Sequence, residues 1–320
     1  MAVTGPRIAV LLPCYNEEAA IARTVAGFRA ALPGATVYVY DNNSRDDTIA
    51  VARAAGAVVR SERIQGKGAV VRRMFADVDA DVYVMADGDA TYDAASAPRL
   101  VAHLLDEQLD MIVGSRAHEA AQAYRRGHRF GNALLTGMLA RLFGRSFTDI
   151  LSGYRVFSRR FVKSFPSLSA GFEIETEISV HALELKMPCA EIGTPYFARP
   201  EGSESKLSTY RDGWRILSTI ATLYRIERPL WFFGAFAALL MAVAVVLAVP
   251  LGVTYAETGL VPRFPTAILV TGLTILAALN LFAGLILDTV VRGRREVRRL
   301  AYLTYPAPGG MPHPTLGHGA

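Results

Sequence analysis

Short apolar runs alternate with longer amphipathic segments through the first third of the chain. The runs are residues 7–12, 35–40, 57–60, 82–86 and 111–113. Runs of this length, bounded by polar residues, glycine or proline, are typical of buried strands. The first segment between them carries Ile21, Val25 and Phe28 at helical spacing. This alternation predicts an α/β fold with a parallel, right-handed, doubly wound sheet.

Residues that can bind ligands directly follow several of the predicted strands. They are Tyr15, Glu17, Asp41, Asp87 and Asp89. The carboxyl ends of parallel strands share one edge of a sheet, and open α/β sheets bind their ligands at that edge. We therefore expect these side chains to lie close together.

Two long segments near the end of the chain carry no charged side chain. They span residues 230–253 and 264–287, and each is long enough to cross a hydrocarbon core of ~30 Å as a helix. Two buried helices of a soluble core are the alternative, but soluble helices of this length show a polar stripe. We therefore expect a transmembrane hairpin, which accounts for the 52% hydrophobic content of the 320 residues.

The net charge of +5 comes with arginines that flank these two segments. They are Arg211, Arg215, Arg225 and Arg228 before the first, and Arg292, Arg294, Arg295, Arg298 and Arg299 after the second. Positive charge stays on the cytoplasmic side of a membrane, so both ends of the hairpin are expected there. Anionic lipid, and no nucleic acid, is then the expected partner. The two cysteines, Cys14 and Cys189, fit a reducing compartment and show no metal-ligand spacing.

Asp87 and Asp89 flank Gly88 at the end of the apolar run 82–86. Residues two apart in extended chain point the same way, and Gly88 lets the backbone approach a ligand closely. Two carboxylates at the carboxyl end of a strand suit a hard divalent cation that is shared with a phosphate. A solvated Asp-Gly turn is the alternative. A calcium-binding loop is excluded because Tyr92 and Pro98 occupy its sixth and twelfth positions.

The glycine motifs of two common nucleotide-binding folds are missing from the sequence. No dinucleotide fingerprint follows the first strand, and no P-loop sequence occurs in the chain. Gly66, Lys67 and Gly68 instead open a helix, where backbone N–H groups and an ammonium group can meet an anion. Turns of this kind are often only the starts of helices.

Taken in order, the motifs resemble those of a known enzyme family. They are Pro13-Cys14-Tyr15-Asn16-Glu17, Asp41-Asn42-Asn43-Ser44-Arg45-Asp46-Asp47-Thr48, Gln65-Gly66-Lys67-Gly68 and Asp87-Gly88-Asp89, then Gly114-Ser115-Arg116, Arg129-Phe130-Gly131-Asn132, Thr148-Asp149-Ile150-Leu151-Ser152-Gly153-Tyr154-Arg155 and Phe172-Glu173-Ile174-Glu175-Thr176-Glu177. The set is similar to family-two glycosyltransferases of GT-A fold. With the C-terminal hairpin it resembles the polyprenyl-phosphate glycosyltransferases, which include dolichyl-phosphate mannose synthases and bactoprenol glucosyltransferases.

The resemblance implies a nucleotide-binding side of the site. Its residues would be Pro13, Tyr15, Glu17, Asp41, Lys67, Asp87 and Gly88, with Tyr15 stacked on the base, Asp41 on a base N–H and Glu17 at the ribose. Asp87 and Asp89 would hold Mg²⁺ or Mn²⁺ against the donor diphosphate. Whether Thr91 is a third ligand stays open. Tyr15 and Glu17 could instead be structural parts of a strand end and a helix start.

The same resemblance implies an acceptor side and a mobile donor loop. Arg116, Arg129 and Asn132 would bind the acceptor phosphate, for which arginine's planar fork is suited. Arg125 and Arg126 are alternatives to Arg129, and all of these arginines could instead face the membrane. Asp149, Arg155, Glu173 and Glu175 would line the sugar side, with one of the two glutamates facing the site. Arg199 and Lys206 would lie in a loop over the diphosphate.

The expected organisation has four parts. Residues 1–205 form a cytoplasmic GT-A catalytic domain, 206–229 amphipathic interfacial helices, 230–291 two transmembrane helices, and 292–320 a basic, disordered cytoplasmic tail. No secretory signal is expected before the first strand. The expected location is a bacterial inner membrane, as a multi-pass protein, and hairpin packing offers a surface for a homo-oligomer.

The expected reaction is inverting, metal-dependent transfer of a hexose from a nucleoside diphosphate to a polyprenyl phosphate. A lipid phosphate is already anionic, so no general base is required, and the residues would mainly position groups and neutralise charge. UDP-glucose is the first choice of donor and GDP-mannose the second. A processive polysaccharide synthase would need more spans. A non-catalytic nucleotide-sugar sensor or scaffold is the alternative from another class.

Overall fold

The computed structural model describes residues 5–116, 136–141, 143–144, 147–166, 174–199, 221–222 and 224–309. The chain divides into two compact units. The first contains residues 1–213 together with 298–320, and the second contains residues 214–297.

The first unit is built on a seven-stranded sheet with the order β3-β2-β1-β4-β6-β5-β7. The strands are β1 (Ile8–Cys14), β2 (Thr36–Asp41), β3 (Val58–Ser61), β4 (Val82–Met85), β5 (Met111–Arg116), β6 (Arg155–Ser158) and β7 (Cys189–Thr194). β6 runs antiparallel to both of its neighbours, β4 and β5, and the other pairs are parallel. The sheet is therefore mixed, and the prediction of an all-parallel sheet was wrong on this point.

Helices cover the sheet and complete its core. They are α1 (Glu18–Ala31), α2 (Thr48–Ala54), α3 (Lys67–Asp77), α4 (Ala97–Asp106), α5 (Arg159–Ser164) and α6 (Ile174–Glu184), with a short 3₁₀ turn at Ala94–Ser96. One cluster of buried side chains lies between α1, α4 and one face of the sheet and includes Leu12, Phe28, Val84 and Leu100. The five predicted strands agree with β1 to β5 of the structure to within a few residues.

Strand register places the predicted ligand-binding residues at one edge, as expected. Cys14 of β1 lies beside Asp41 of β2, and Leu11 lies beside Met85 of β4. The chain that leaves β1, β2 and β4 therefore emerges at the same edge of the sheet. Arg155, at the start of β6, pairs with Met85 there.

The second unit contains helix α7 (Pro229–Thr258) and most of helix α8 (Phe264–Leu303). Both are long and apolar enough to cross a membrane, and only 11% of the most apolar window of each is buried. Core helices of a soluble protein would be mostly buried, so the exposed apolar surface indicates membrane association. The described residues hold a single hairpin of two such helices, where the prediction was a multi-pass protein. The helices touch at Gly284, whose Cβ position lies 3.3 Å from Leu230 Cα.

The end of α8 corrects the predicted tail. The helix continues to Leu303 instead of ending at residue 291, and its last turns belong to the first unit. Arg298 forms an ion pair with Glu184, Arg299 donates to the Leu185 carbonyl, and the Tyr302 hydroxyl donates to Asp110. The prediction of a disordered tail was therefore wrong for residues 292–303, because they continue helix α8. Residues 310–320 and most of the predicted interfacial segment 206–229 lie outside the described residues.

Candidate active site

Asn42 joins the loops that follow β2 and β3. Its side-chain amide donates to the carbonyl oxygens of Glu62 and Ile64 at 2.9 and 2.8 Å, and its oxygen accepts from the Gly66 N–H at 2.7 Å. The side chain is buried, so these bonds satisfy groups that have little access to water. The start of α3 is thereby held at the edge where β2 ends.

The predicted nucleotide-binding residues lie around the ends of β1 and β2. Pro13 is buried within β1, Tyr15 is half-buried, and Glu17 is 9% exposed. Asp41 is 2% exposed, and its Oδ2 accepts from the Ser44 N–H at 3.1 Å. Oδ1 of Asp41 is buried without a hydrogen-bond partner among the described residues. A buried oxygen of this kind needs a donor, and a bound ligand can supply one.

The turn from Asp87 to Asp89 is packed tightly against β1 and α1. A Cβ at Gly88 would lie 2.4 Å from Cys14 Sγ, so no larger residue fits. The Gly88 carbonyl also accepts from the Thr24 hydroxyl at 3.1 Å. β4 ends two residues before Asp87, and Gly88 and Asp89 form a turn. The expectation that strand alternation orients the two carboxylates was therefore wrong, because the turn orients them.

Lys67, the first residue of α3, lies between two carboxylates. Its Nζ is 2.5 Å from Asp87 Oδ1 and 2.5 Å from Glu175 Oε1, and its side chain is 11% exposed. Burial lowers the pKa of Lys67, but Asp87 and then Glu175 outweigh it, and the net pKa lies well above its usual value. Glu175 is in the first turn of α6, and its Oε2 is buried without a partner among the described residues. The structure thus brings together three predicted site residues.

Asp89 is buried and held on both oxygens. Oδ1 accepts from the Thr91 hydroxyl at 2.6 Å and from the Thr91 N–H at 3.2 Å. Oδ2 lies 2.8 Å from the Arg199 guanidinium, whose side chain is 33% exposed, against 3% for Asp89. Burial, and then the charge of Asp87, raise the pKa of Asp89 above its usual value. Arg199, predicted to lie over the diphosphate, here pairs with the acidic turn.

Gly153 leaves the space that the Asp87 carboxylate occupies. A Cβ at Gly153 would lie 2.8 Å from Asp87 Oδ2. The Gly153 N–H donates to the Tyr92 hydroxyl at 2.8 Å, which fixes the backbone at this distance. Sequence reasoning placed Gly153 in a motif but gave it no function. Nothing in the local sequence pattern identifies this close approach.

Arg116, at the end of β5, is oriented by Asp149. Its Nε and Nη2 donate to the two Asp149 oxygens at 2.7 and 2.6 Å. Asp149 is in turn held by Glu191 of β7, which accepts from the Asp149 N–H at 3.0 Å and from the Thr148 N–H at 2.7 Å. Two predicted residues are thus joined, and Glu191 is a supporting residue that sequence reasoning missed.

Arg155 is buried within the fold and does not line the sugar side of the site, where it was predicted to lie. It is 0% exposed, and its guanidinium donates to the Ser152 carbonyl at 2.9 Å, to the Ile150 carbonyl at 2.5 Å and to the Ser179 hydroxyl at 3.0 Å. Burial lowers the pKa of Arg155 to about 10. Arg155 therefore braces the loop that carries Asp149 and Gly153.

Several predicted residues lie outside the described residues. They are Arg129 and Asn132 of the acceptor side, with the alternatives Arg125 and Arg126, then Glu173 of the sugar side and Lys206 of the donor loop. Their predicted functions stay predictions.

The oxygens at this edge fit a hard divalent cation that a diphosphate would complete. Among the described residues, no group of three or more His, Cys, Asp or Glu side chains could hold a metal alone. Asp87, which is 30% exposed on its side chain, and Asp89 supply carboxylate oxygens. Mg²⁺ is usually bound by one or two carboxylates together with substrate phosphates. Thr91 is engaged as a hydrogen-bond donor to Asp89.

Several known proteins are similar to this chain. The family described as glycosyl transferase family 2 matches residues 9–165. Glycosyltransferase AglJ from Haloferax volcanii is 35% identical over 234 residues, which are 72% of this chain and 77% of that protein. Protein RfbJ from Shigella flexneri is 57% identical over 123 residues, or 38% of this chain and 95% of that protein. A dolichyl-phosphate hexose transferase from H. volcanii is 27% identical over 221 residues, or 69% and 95%.

Solved structures confirm the predicted GT-A type of fold. Glucosyl-3-phosphoglycerate synthase from Mycobacterium tuberculosis, in complex with Mn²⁺, UDP and glucosyl-3-phosphoglycerate, matches with a TM-score of 0.56 and 25% identity. The match covers 69% of this chain and 79% of that one.

Proposed function

This chain belongs to glycosyl transferase family 2, and we propose that it transfers a hexose from a nucleoside diphosphate to the phosphate of a polyprenyl phosphate at a membrane. That it is a glycosyltransferase follows from the family. The observation that best supports a lipid acceptor is the pair of exposed apolar helices in the same chain. A relative named as a dolichyl-phosphate hexose transferase supports the same acceptor class.

The proposed donor is UDP-glucose, with GDP-mannose as the second choice. The base would lie against Tyr15, with its N–H donated to the unpartnered Oδ1 of Asp41. Solved relatives contain UDP and Mn²⁺ or UDP-glucose and Mn²⁺. In the proposal, Asp87 and Asp89 hold Mg²⁺ or Mn²⁺, which when bound neutralises charge on the departing nucleoside diphosphate.

The proposed chemistry needs no proton acceptor from the protein. An oxygen of the acceptor phosphate forms the new bond to the anomeric carbon as the bond to the donor diphosphate breaks, and the configuration is inverted. The phosphate is anionic at neutral pH, so positioning and charge neutralisation supply most of the rate. Arg116, oriented by Asp149, would hold the acceptor phosphate through donors on its planar fork. Lys67 and Glu175 would keep Asp87 in place.

The cytoplasmic face of a bacterial inner membrane is the proposed location. The support is the set of arginines that follow the apolar part of α8, of which Arg292, Arg294 and Arg295 belong to the second unit. Arg294 and Arg295 also pair with Glu227 within that unit, so part of their charge is already balanced.

The proposal is tested with the full-length protein in detergent, undecaprenyl phosphate and a panel of UDP- and GDP-hexoses. We expect a lipid-linked hexose by mass spectrometry, formed only with Mg²⁺ or Mn²⁺, and an inverted anomeric centre by NMR. Asp89→Asn should abolish the product. Asp79→Asn is the matched control, because Asp79 forms surface ion pairs with Arg7 and Arg159. No product with any donor would refute the lipid acceptor.

A second candidate acceptor is a soluble phosphorylated acid. It is favoured by the likeness to glucosyl-3-phosphoglycerate synthase, whose complexes include phosphoglyceric acid. Adding 3-phosphoglycerate to the same assay separates the two candidates. A sugar on this acid, with none on the lipid, would favour the second.

A further inference from the structure

Two positive side chains are paired with the acidic turn, residues Asp87 to Asp89. Lys67 is paired with Asp87 and Glu175, and Arg199 is paired with Asp89. Among the described residues, the three carboxylates and two cations of this cluster carry a formal charge of minus one. We propose that Arg199 is an exchangeable cation, which holds Asp89 until a metal and a nucleoside diphosphate bind together. The inference rests on the proposed function. It gives Arg199 the function of coupling the binding of the metal to the binding of the nucleoside diphosphate.

The charge balance of this cluster depends on which ligands are bound. A divalent metal alone would bring the cluster to plus one, with Arg199 and Lys67 both repelling it. A metal together with the dianionic diphosphate of a sugar donor restores minus one. Repulsion between charges a few ångströms apart is strong at a site partly removed from water. The metal alone is therefore disfavoured, and the pair of ligands is favoured.

The hydrogen bonds of Asp89 identify the oxygen in question. Oδ1 is held by both the hydroxyl and the N–H of Thr91, at 2.6 and 3.2 Å. Oδ2 is the oxygen that Arg199 contacts at 2.8 Å. With Oδ1 engaged, a metal needs Oδ2, and the guanidinium must leave it. The diphosphate offers the guanidinium an equivalent partner, because its oxygens suit a planar donor fork.

Burial distinguishes the two cations. Lys67 is 11% exposed, is part of the first turn of α3 and contacts two carboxylates at 2.5 Å, so it is held in place. Arg199 lies beyond the last strand of the sheet, and its side chain is 33% exposed. Only the second side chain can exchange partners without opening the core. Arg199 is therefore the cation that leaves, and Lys67 is the one that stays.

The experiment measures Mn²⁺ binding by the full-length protein in detergent, from the loss of the free Mn²⁺ EPR signal, without and with UDP. In Arg199→Met we expect the Kd for Mn²⁺ without UDP to fall about tenfold, which corresponds to ~1.4 kcal/mol. With UDP present the gain should vanish, because the diphosphate has lost its arginine. The ratio of the two Kd values, which measures the coupling, should shrink about tenfold.

Further variants test whether the effect comes from the exchange of Arg199 between Asp89 and the diphosphate. Arg199→Lys keeps a cation near Asp89 and should stay close to the wild-type ratio. Arg99→Met removes an equal charge from a surface arginine that donates to the Gly193 carbonyl, and should change neither Kd. Asp89→Asn should abolish the measured Mn²⁺ site. Thermal unfolding confirms that each variant is folded.

An unchanged or weaker Mn²⁺ affinity of Arg199→Met without UDP would overturn the proposal, as would an equal gain in Arg99→Met. No saturable Mn²⁺ binding by Arg199→Met would overturn it too. The UDP-free titration needs neither acceptor nor sugar. An error in the proposed acceptor or hexose would therefore appear in the transfer assay and leave this result intact.

Discussion

Replacing Gly153 with alanine is expected to displace Asp87 without altering any charged group. The new Cβ would lie 2.8 Å from Oδ2, 3.1 Å from Oδ1 and 3.2 Å from Cγ of Asp87. Unstrained carbon contacts lie at about 3.5–4.0 Å, so the carboxylate must move by roughly 0.5–1 Å. It cannot do so freely, because Lys67 holds Oδ1 at 2.5 Å.

The effects of Gly153→Ala on stability and on the transfer rate are expected to differ in size. Forcing a methyl group into packed surroundings costs about 1–3 kcal/mol of stability. A misplacement of about 1 Å at a reacting centre can cost about a hundredfold in rate. We therefore expect Gly153→Ala to lower kcat/KM for sugar transfer about a hundredfold and to weaken Mn²⁺ binding, while the protein stays folded.

Two other glycines provide controls for this measurement. A Cβ at Gly114 would lie 2.9 Å from Tyr154 Cδ1, so Gly114→Ala strains the core at a side chain other than Asp87. A Cβ at Gly193 meets nothing within 4 Å. Transfer kinetics, Mn²⁺ titration and thermal unfolding are compared for all three. Gly114→Ala should lose stability and keep its Mn²⁺ affinity, and Gly193→Ala should resemble the wild type.

The positioning of Asp87 by Gly153 is refuted if Gly153→Ala keeps wild-type Mn²⁺ affinity and transfer rate. It is equally refuted if Gly114→Ala weakens Mn²⁺ binding as much, because the effect would then follow general destabilisation.

Further predictions concern buried polar groups of the first unit. Lys67→Met leaves its two carboxylates unpaired and should cost about 3–5 kcal/mol of stability in urea unfolding. Burial, and then the charge of Arg298, lower the pKa of His181 to about 3. Below pH ~6.5 the unfolded chain therefore binds a proton at this histidine that the folded chain does not bind. Stability falls as a result, by about 2 kcal/mol at pH 5. His181→Leu should remove that part of the difference between urea unfolding at pH 7.5 and pH 5. Tyr302→Phe removes the hydroxyl that donates to Asp110 and should cost about 1–3 kcal/mol in the same assay.

Local patterns predicted the elements that make up most of the sheet edge. β1, β2 and β4 are apolar runs whose ends are marked by polar residues, so their position at one edge followed from the alternation of strands and helices. β6 was missed because only Val156 and Phe157 among its four residues are apolar, and Arg155 at its start is charged. A charged residue at the start of so short a run hides a strand, although Arg155 is fully buried. The antiparallel insertion between β4 and β5 was missed with it.

The pairings inside the site could not be predicted from local patterns. Sequence reasoning named Lys67 and Glu175 as separate site residues, yet they lie in α3 and α6 and meet only because the sheet brings the starts of both helices to one edge. Glu191 belongs to β7, which the sequence analysis did not predict, and only its contact with the Asp149 N–H shows its supporting function. Such contacts depend on tertiary packing, which periodicity does not describe.

The arginines of α8 show why counting charges along a sequence overstates how many of them face a lipid surface. Arg298 forms an ion pair with Glu184, whose side chain is 0% exposed, and Arg295 pairs with Glu227, which is 4% exposed. A carboxylate buried this deeply needs a cation, since leaving it unpaired costs several kcal/mol. The same requirement holds at the acidic turn, where Lys67 and Arg199 balance Asp87 and Asp89. Among these four cations, Arg199 is paired at the place where a divalent metal and a diphosphate would bind in the proposed reaction. Its ion pair with Asp89 is therefore the one that would be exchanged during catalysis.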